Sequence, residues 1–429
     1  MMTYDEAIGY IHSISWRGSR PGLERITELC SMIGNPQDSL SFVHVAGTNG
    51  KGSFCCMLES VLREAGYRTG LFTSPYVKNF TERMRVCGQD IEPQQLADCT
   101  EYVKQYADRM ADPPTEFELI TAIAFEYFKR ENCDIVVCEV GMGGRLDSTN
   151  VIKAPALAVI TEISLDHMAY LGSTVEAIAG EKAGIIKKGS RVLFTGTNES
   201  AFDVVESAAE RIGAPFGTPD YDSLHVLSSS ENGSEFDYRD GKGYKITLAG
   251  LYQPRNAAAV IEAAAELRKC GYDIPEIAVR DGIANAVWHA RFELLSRDPI
   301  IIFDGGHNPQ GVRAAFDSID AYFPGKRVIA VSGVMADKDY EVVIETAKPY
   351  VSRVYTVKPD NPRALSAGNY ADAFARHGVA AAACETVTEA VMSAVAEAKS
   401  AGVPVLVFGS LYLYAELSDA VERITGGNA

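Results

Sequence analysis

Short apolar runs recur along the chain, each followed by a longer stretch whose apolar residues have helical spacing. In the first part these runs are SFVHVAG (41–47), TGLFTS (69–74), CDIVVCEV (133–140), ALAVITEIS (156–164) and RVLFTGT (191–197). They are rich in β-branched residues and bounded by turn formers, so they read as strands buried on both faces. A helix is expected from Ser53, and another over the alanine-rich NAAAVIEAAAELRKC (256–270). Between them a polar stretch (217–243), rich in Ser, Gly and Asp, reads as a variable hairpin or insertion. The alternation then restarts with PIIIFDGG (299–306), RVIAVSGV (327–334), RVYTVKP (353–359), a short strand near 380–385, and PVLVFGSLYL (404–413). Strands separated by helices predict parallel sheets covered by helices. The expected fold class is therefore α/β: a P-loop-type parallel-sheet ATPase domain (1–296) followed by a smaller Rossmann-like C-terminal domain (297–429). The junction is placed at WHARFELLSRDP (288–299).

Charge narrows the partners. The 429 residues hold 57 Asp and Glu against 40 Lys and Arg, a net charge of −17. Affinity for nucleic acid or an anionic membrane needs clustered cations, so neither is expected. A phosphate ligand must instead be gripped locally, by backbone amides, a few cations and metal ions. The nine cysteines form no C-x-x-C pair, which argues for reduced thiols rather than a disulfide or zinc framework. No apolar run approaches the roughly 18 residues of a membrane span. The N-terminal MMTYDEAIGYIHS carries acids and no basic-then-apolar leader. A cytoplasmic protein is expected.

The sharpest chemical signal is HVAGTNGKGSF (44–54), a strand running through glycines into a helix. Such a turn points successive N–H groups inward, and the helix dipole favours an anion there. Lys51 would reach the outer phosphates of a nucleotide, and Ser53 would offer a hydroxyl to Mg²⁺. The strict P-loop spacing is not met: two residues separate Gly47 from Gly50, and Gly52 stands between Lys51 and Ser53. In CDIVVCEVGMGGRLDSTN (133–150), Glu139 ends a strand at the carboxyl edge of the sheet, where a metal ligand is wanted. Gly141, Gly143 and Gly144 then permit a close turn, and Asp147 offers an acceptor. His167 follows the next strand; as an isolated residue it reads equally well as a structural histidine. Lys182, on a helical stretch (173–189), reads by composition as a solvated charge. Gln253 and Asn256 suit a helix cap or a base edge. Arg291 lies at the junction, and Asp304 and His307 end the first strand of the second block.

Together these motifs resemble folylpolyglutamate synthase, in the Mur ligase group of ATP-dependent amide-forming enzymes. The resemblance runs from about Tyr10 to Leu413. It is carried by PGLER (21–25), HVAGTNGKGS (44–53), the LFTSPYV segment (71–77), TEFE (115–118), EVGMGGRLDSTN (139–150), SLDH (164–167), AGEKAGIIK (179–187), NAAA (256–259), DGGHNP (304–309) and FGSLYL (408–413). It departs from the family pattern at Tyr76, Cys55, Cys56, His289, Ala290 and Gly306. SRPGLER also lacks the aspartate of bifunctional members.

The resemblance implies the following roles. Gly50, Lys51, Gly52 and Ser53 would bind the ATP phosphates, with Asn256, Arg291 and Asp304 also contacting ATP. Ser53, Ser74, Glu139, His167 and Lys182 would hold two Mg²⁺ ions, Lys182 as a CO₂-derived carbamate. Arg20, Pro21, Gly22, Leu23, Thr115, Phe117, Glu118, Leu146, Asp147 and Ser148 would line the folate side. His307 and Ser410 would handle L-glutamate. Lys182, Asp304 and His307 would be the catalytic set. The implied reaction joins L-glutamate to the terminal carboxylate of a reduced folate through an acyl phosphate, with dihydropteroate as the alternative acceptor. The implied partners are these small molecules alone, handled by a monomer.

Overall fold

The computed structural model describes residues 1–18 and 20–426. It divides into two compact units: Met1–Asp222 with Arg255–Ala286, and Ser223–Pro254 with Val287–Ala429.

The first unit is built on β1 (Phe42–Ala46), β2 (Thr69–Phe72), β3 (Met84–Val86), β4 (Gln89–Asp90), β5 (Ile135–Glu139), β6 (Leu157–Ile160), β7 (Arg191–Phe194) and β8 (Phe216–Gly217). Their spatial order is β4-β3-β2-β5-β1-β6-β7-β8. From β2 to β8 every neighbouring pair is parallel, while β3 and β4 add an antiparallel edge. The expected strands all form, each a little shorter than its apolar run, because the flanking Gly, Ser and Thr residues turn into loops. The order has a direct consequence. Four adjacent parallel strands, β2, β5, β1 and β6, deliver their C-terminal loops to one edge of the sheet. This is where open α/β sheets bind ligands. Cores form against both ends of the sheet, one around Phe42, Phe72 and Phe125, another around Ala46, Ile160 and Phe194.

The second unit has two sheets. β9 (Leu224–Ser230), β10 (Gly233–Tyr238) and β11 (Gly241–Ile246) form an antiparallel meander, so the polar stretch expected as a hairpin or insertion carries an ordered three-stranded sheet. β12 (Glu293–Arg297), β13 (Ile300–Asp304), β14 (Val328–Ser332), β15 (Val351–Thr356), β16 (Ala380–Ala383) and β17 (Val405–Phe408) form the other, in the order β12-β13-β17-β14-β15-β16. Only the β12–β13 pair is antiparallel. A hairpin joins β12 to β13, so residues 293–297 belong with the second sheet. The expected cut at 296/297 is not where the chain changes unit: it crosses at 222/223, 254/255 and 286/287. The run 404–413 also divides: β17 stops at Phe408, Gly409 takes a positive φ, and Leu411–Leu413 form a 3₁₀ turn.

Candidate active site

β1 ends at Ala46, and Gly47–Gly50 lead directly into the helix Lys51–Glu64. Gly47 has φ +155°, and a Cβ there would lie 1.8 Å from Thr161 Oγ1. Only glycine lets the loop pack this closely on the end of β6. Thr161 Oγ1 donates to Asn49 O at 2.8 Å, and Thr48 N donates to Glu162 O at 2.8 Å. The loop is thereby pinned, and no side chain caps the first turn of the helix. The first N–H groups of a helix have no acceptor within it, so this end suits an anion.

Two lysines converge behind the loop. Lys51 Nζ donates to Gly47 O at 3.1 Å and to Thr48 O at 3.3 Å, and Lys182 Nζ donates to the same Gly47 O at 2.8 Å. Lys182 lies on the helix Val175–Ala183 and is 4% exposed. Burial first, and the charge of Lys51 second, bring its pKa down to about 7. A lysine that looked like a solvated charge is therefore an amine with a large neutral fraction at neutral pH. Its helix is held close by Gly144, where a Cβ would meet Glu181 O at 2.7 Å and Lys182 O at 2.9 Å.

Glu139, at the end of β5, is 5% exposed. Its Oε1 lies 3.9 Å from Lys51 Nζ, and its Oε2 accepts from Ser74 N at 3.3 Å. Arg83 Nη1 donates to Ser74 Oγ at 3.2 Å. Ser53 is buried in the first turn of its helix. Thus Lys51, Ser74, Glu139 and Lys182 are linked around the Gly47 loop by direct contacts. His167 is an exposed residue in the left-handed region at φ +50°, with Nε2 3.8 Å from Asp166 Oδ2. Strained backbone of this kind clusters at functional positions. Among the described residues no three His, Cys, Asp or Glu side chains form a ready-made metal cluster. The oxygen donors expected for Mg²⁺ are one carboxylate and two hydroxyls, which suit a hard cation. Asn256, in the helix Gln253–Lys269, brings its Oδ1 close to Gly50, 3.1 Å from where a Cβ would stand.

A second face of this unit carries the residues expected for the acceptor. Thr115 and Glu118 form a capping box at the start of the helix Glu116–Arg130. Glu118 Oε2 accepts from Thr115 N at 2.7 Å, Thr115 Oγ1 at 2.9 Å and Arg25 Nε at 3.0 Å. Oε2 thus takes all three bonds, while among the described residues Oε1 is held only by the ion pair with Arg25 Nη2 at 3.0 Å, and the two side chains form a buried wall. Arg20 pairs with Asp112 through two bonds, at 2.9 and 3.1 Å. Leu23 packs on the core, while Pro21 is exposed and Gly22 half-buried. The Phe117 ring lies against Gly141 and Phe72, which joins this wall to the loop after β5. In that loop Leu146 is exposed, Asp147 and Ser148 are buried, and Asp147 caps the 3₁₀ turn Ser148–Val151.

In the second unit, Asp304 ends β13 beside the end of β17. It accepts from Tyr252 Oη at 3.0 Å, Phe292 N at 2.9 Å and Gly306 N at 2.7 Å. Burial raises its pKa, and the nearby Arg291 opposes that rise. His307 Nδ1 lies 3.1 Å from Gly305 O, so that nitrogen carries a proton. Ser410 is buried and accepts from Tyr412 N at 3.3 Å, and Gly409 N donates to Gly306 O at 3.1 Å. Arg291, Asp304, His307 and Ser410 thus belong to one cluster at a single sheet edge. Sequence reasoning missed Thr161, Arg83 and Tyr252, which hold Asn49, Ser74 and Asp304. Thr161 and Arg83 flank strand ends and Tyr252 precedes the helix Gln253–Lys269, and only pairing reveals what each one holds.

Comparison with known proteins agrees with this geometry. The Mur ligase middle domain matches residues 45–264, and the Mur ligase glutamate ligase domain matches residues 290–411. The dihydrofolate synthase/folylpolyglutamate synthase of Bacillus subtilis is 36% identical, over 96% of this chain and 98% of its own length. The folylpolyglutamate synthase of Lacticaseibacillus casei is also 36% identical, over 86% and 89%. Among solved structures, E. coli FolC in complex with DHPP and ADP superposes with a TM-score of 0.85 at 30% identity, covering 100% of this chain and 99% of that one. With two Mur ligase domains in order and relatives matched over nearly their whole length, the chain belongs to the folylpolyglutamate synthase/dihydrofolate synthase family of Mur ligases.

Proposed function

We propose that this chain is an ATP-dependent ligase that adds L-glutamate to the terminal carboxylate of a reduced folate through an acyl phosphate. One observation carries the reading most directly. The Gly47–Ser53 turn presents an uncapped helix N-terminus with Lys51 beside the buried Glu139 and Lys182, a site fit for polyphosphate at a sheet edge with its own oxygen donor. The nucleotide phosphates are held by Gly50, Lys51, Gly52 and Ser53, with Asn256, Arg291 and Asp304 for the rest of ATP. Arg20–Leu23, Thr115, Phe117, Glu118, Leu146, Asp147 and Ser148 shape the folate side, and His307 and Ser410 receive glutamate.

Two anions, the ATP tail and the folate carboxylate, must approach each other. Lys51 and the loop amides offset that repulsion where phosphoryl transfer builds charge. The γ-phosphoryl group passes to the carboxylate, ADP leaves, and the glutamate amine attacks the activated carbonyl with loss of phosphate. Water must be kept out, because it would hydrolyse the acyl phosphate. Ser53, Ser74, Glu139 and His167 would hold two Mg²⁺ ions, which would supply charge neutralisation at the phosphates. Lys182 joins this set as a carbamate. Its low pKa favours the neutral amine that CO₂ requires, and the product is an anion beside Lys51. The enzyme acts as a monomer in the cytoplasm. Its nine cysteines are unpaired, and among the described residues no helix is long and apolar enough to cross a membrane.

The test is ADP release with ATP, Mg²⁺ and glutamate, offering tetrahydrofolate or dihydropteroate. Turnover with tetrahydrofolate is expected. Turnover with dihydropteroate alone would shift the assignment to dihydrofolate synthesis, and acceptor-independent release would leave a plain ATPase. Lys182→Ala should lose most activity, with no recovery under high CO₂; full activity would exclude the carbamate.

A further inference from the structure

Behind the loop that follows β5 lies a chain of buried hydrogen bonds to which none of the roles above gives a purpose. His44 is in the middle of β1 and fully buried, on the same face as Phe42 and Ala46. Its Nε2 lies 2.8 Å from Thr149 Oγ1, and Thr149 Oγ1 lies 2.6 Å from Asp147 Oδ1. Asp147 Oδ1 also accepts from Thr149 N at 3.0 Å, and Oδ2 accepts from Met142 N at 2.8 Å. His44, Thr149 and Asp147 are each at most 5% exposed. The chain therefore crosses from the centre of the sheet to the turn at residues 141–147.

Counting protons fixes the direction of each bond. Burial raises the Asp147 pKa, but three donors converge on its two oxygens and oppose that rise, and a carboxyl that accepts from all three is an acceptor-only carboxylate. The single hydroxyl proton of Thr149 then goes to Asp147, so Thr149 Oγ1 must accept its other bond. The donor is His44 Nε2–H. This leaves His44 Nδ1 as a bare lone pair, and that atom is indeed buried without a hydrogen-bond partner. An orphaned buried nitrogen is costly, and its place at the far end of a relay gives a reason for it. The ring stays neutral there, since burial lowers its pKa to about 3.

We propose that His44 is a positioning residue for the acceptor: as the neutral Nε2–H tautomer it commits the Thr149 hydroxyl to Asp147, and so fixes the Asp147 carboxylate and the 141–147 turn against which the folate is held. The inference rests on the folate reading of this loop. It predicts that the relay governs acceptor binding and leaves nucleotide binding and chemistry alone.

Two measurements test it. Long-range ¹H–¹⁵N correlation of the ¹⁵N-labelled full chain, with His44 identified by its loss in His44→Gln, should show the Nε2–H tautomer from pH 8 to pH 5. An Nδ1–H tautomer or a charged ring would overturn the relay. In steady-state kinetics, His44→Phe and Thr149→Val should each raise KM for tetrahydrofolate about tenfold, the scale of one lost buried hydrogen bond. kcat and KM for ATP should stay within about twofold, and the double variant should be no worse than either single one. His44→Gln, whose amide can donate to Thr149, should restore KM. An unchanged acceptor KM in His44→Phe, or an equal rise in KM for ATP, would refute the positioning role. If the unaltered enzyme uses neither acceptor, the functional reading fails, while the tautomer measurement still decides the relay.

Discussion

The Arg25–Glu118 pair offers a quantitative test of how the acceptor side is held. Arg25 Nε lies 3.0 Å from Glu118 Oε2 and Nη2 lies 3.0 Å from Oε1, with side chains 9% and 2% exposed. At that separation and an effective permittivity of about 20, the gross attraction is about 5 kcal/mol. Desolvating two ions costs several kcal/mol each, so the intact pair contributes little net stability. Breaking it is different. Glu118→Gln keeps an oxygen for Thr115 N but removes the charge, leaving Arg25 with the Arg20 carbonyl at 2.5 Å and Asp112 at 3.7 Å. Those contacts place the expected loss near the low end for a broken buried pair, about 3 kcal/mol. Removing Arg25 as well, as Arg25→Met with Glu118→Gln, should recover part of it, because no charge is then stranded. Amide exchange in the helix Glu116–Arg130 reads the local opening energy of this region without requiring both units to unfold together. The reasoning is refuted if Glu118→Gln lies within about 0.5 kcal/mol of the parent, or if the two substitutions simply add.

Three other outcomes follow from the same structure. The His44 pKa is about 3 in the folded chain and near 6.5 when unfolded, so its stabilisation is complete above pH 6.5 and is lost as pH falls toward 3. Between pH 7 and pH 5 this amounts to about 2 kcal/mol, and urea titrations should show a correspondingly smaller pH dependence in His44→Gln; identical dependence in both proteins would exclude it. Gly144→Ala forces a Cβ to within 2.7–2.9 Å of backbone at Glu181 and Lys182. It should cost about 1–3 kcal/mol as overpacking and lower turnover by shifting Lys182, whereas Gly180→Ala, which meets nothing within 4 Å, should do neither. Tyr252→Phe removes one of the three hydrogen-bond donors to buried Asp304. KM for ATP should rise a few-fold, for a bond worth about 1 kcal/mol, and an unchanged KM would show that the two backbone donors suffice.

The strands and the phosphate turn were legible in the chain because their signals are local. β1, β5 and β13 are apolar runs that no solvent-facing element could carry, and HVAGTNGKGS carries its own glycines and lysine. The expected boundary at 296/297 runs through β12, because a short, half-polar strand has no signal of its own; its hydrogen bonds to β13 define it. The polar stretch after residue 217 gave only a hairpin or insertion and not its three strands, since an antiparallel meander exposes much of its surface. Lys182 shows the division most clearly. By sequence it is one more lysine on a helix, and only the family resemblance singled it out. Its burial and its bond to the Gly47 carbonyl come from a helix 135 residues further along the chain, packed against Gly144. The direction of the His44 relay is likewise invisible in sequence, because it follows from which atoms share one proton. The sequence by itself determined the elements, the glycines and the charges available. Tertiary structure decided which charges lost their water, and with it which groups hold unusual protonation states.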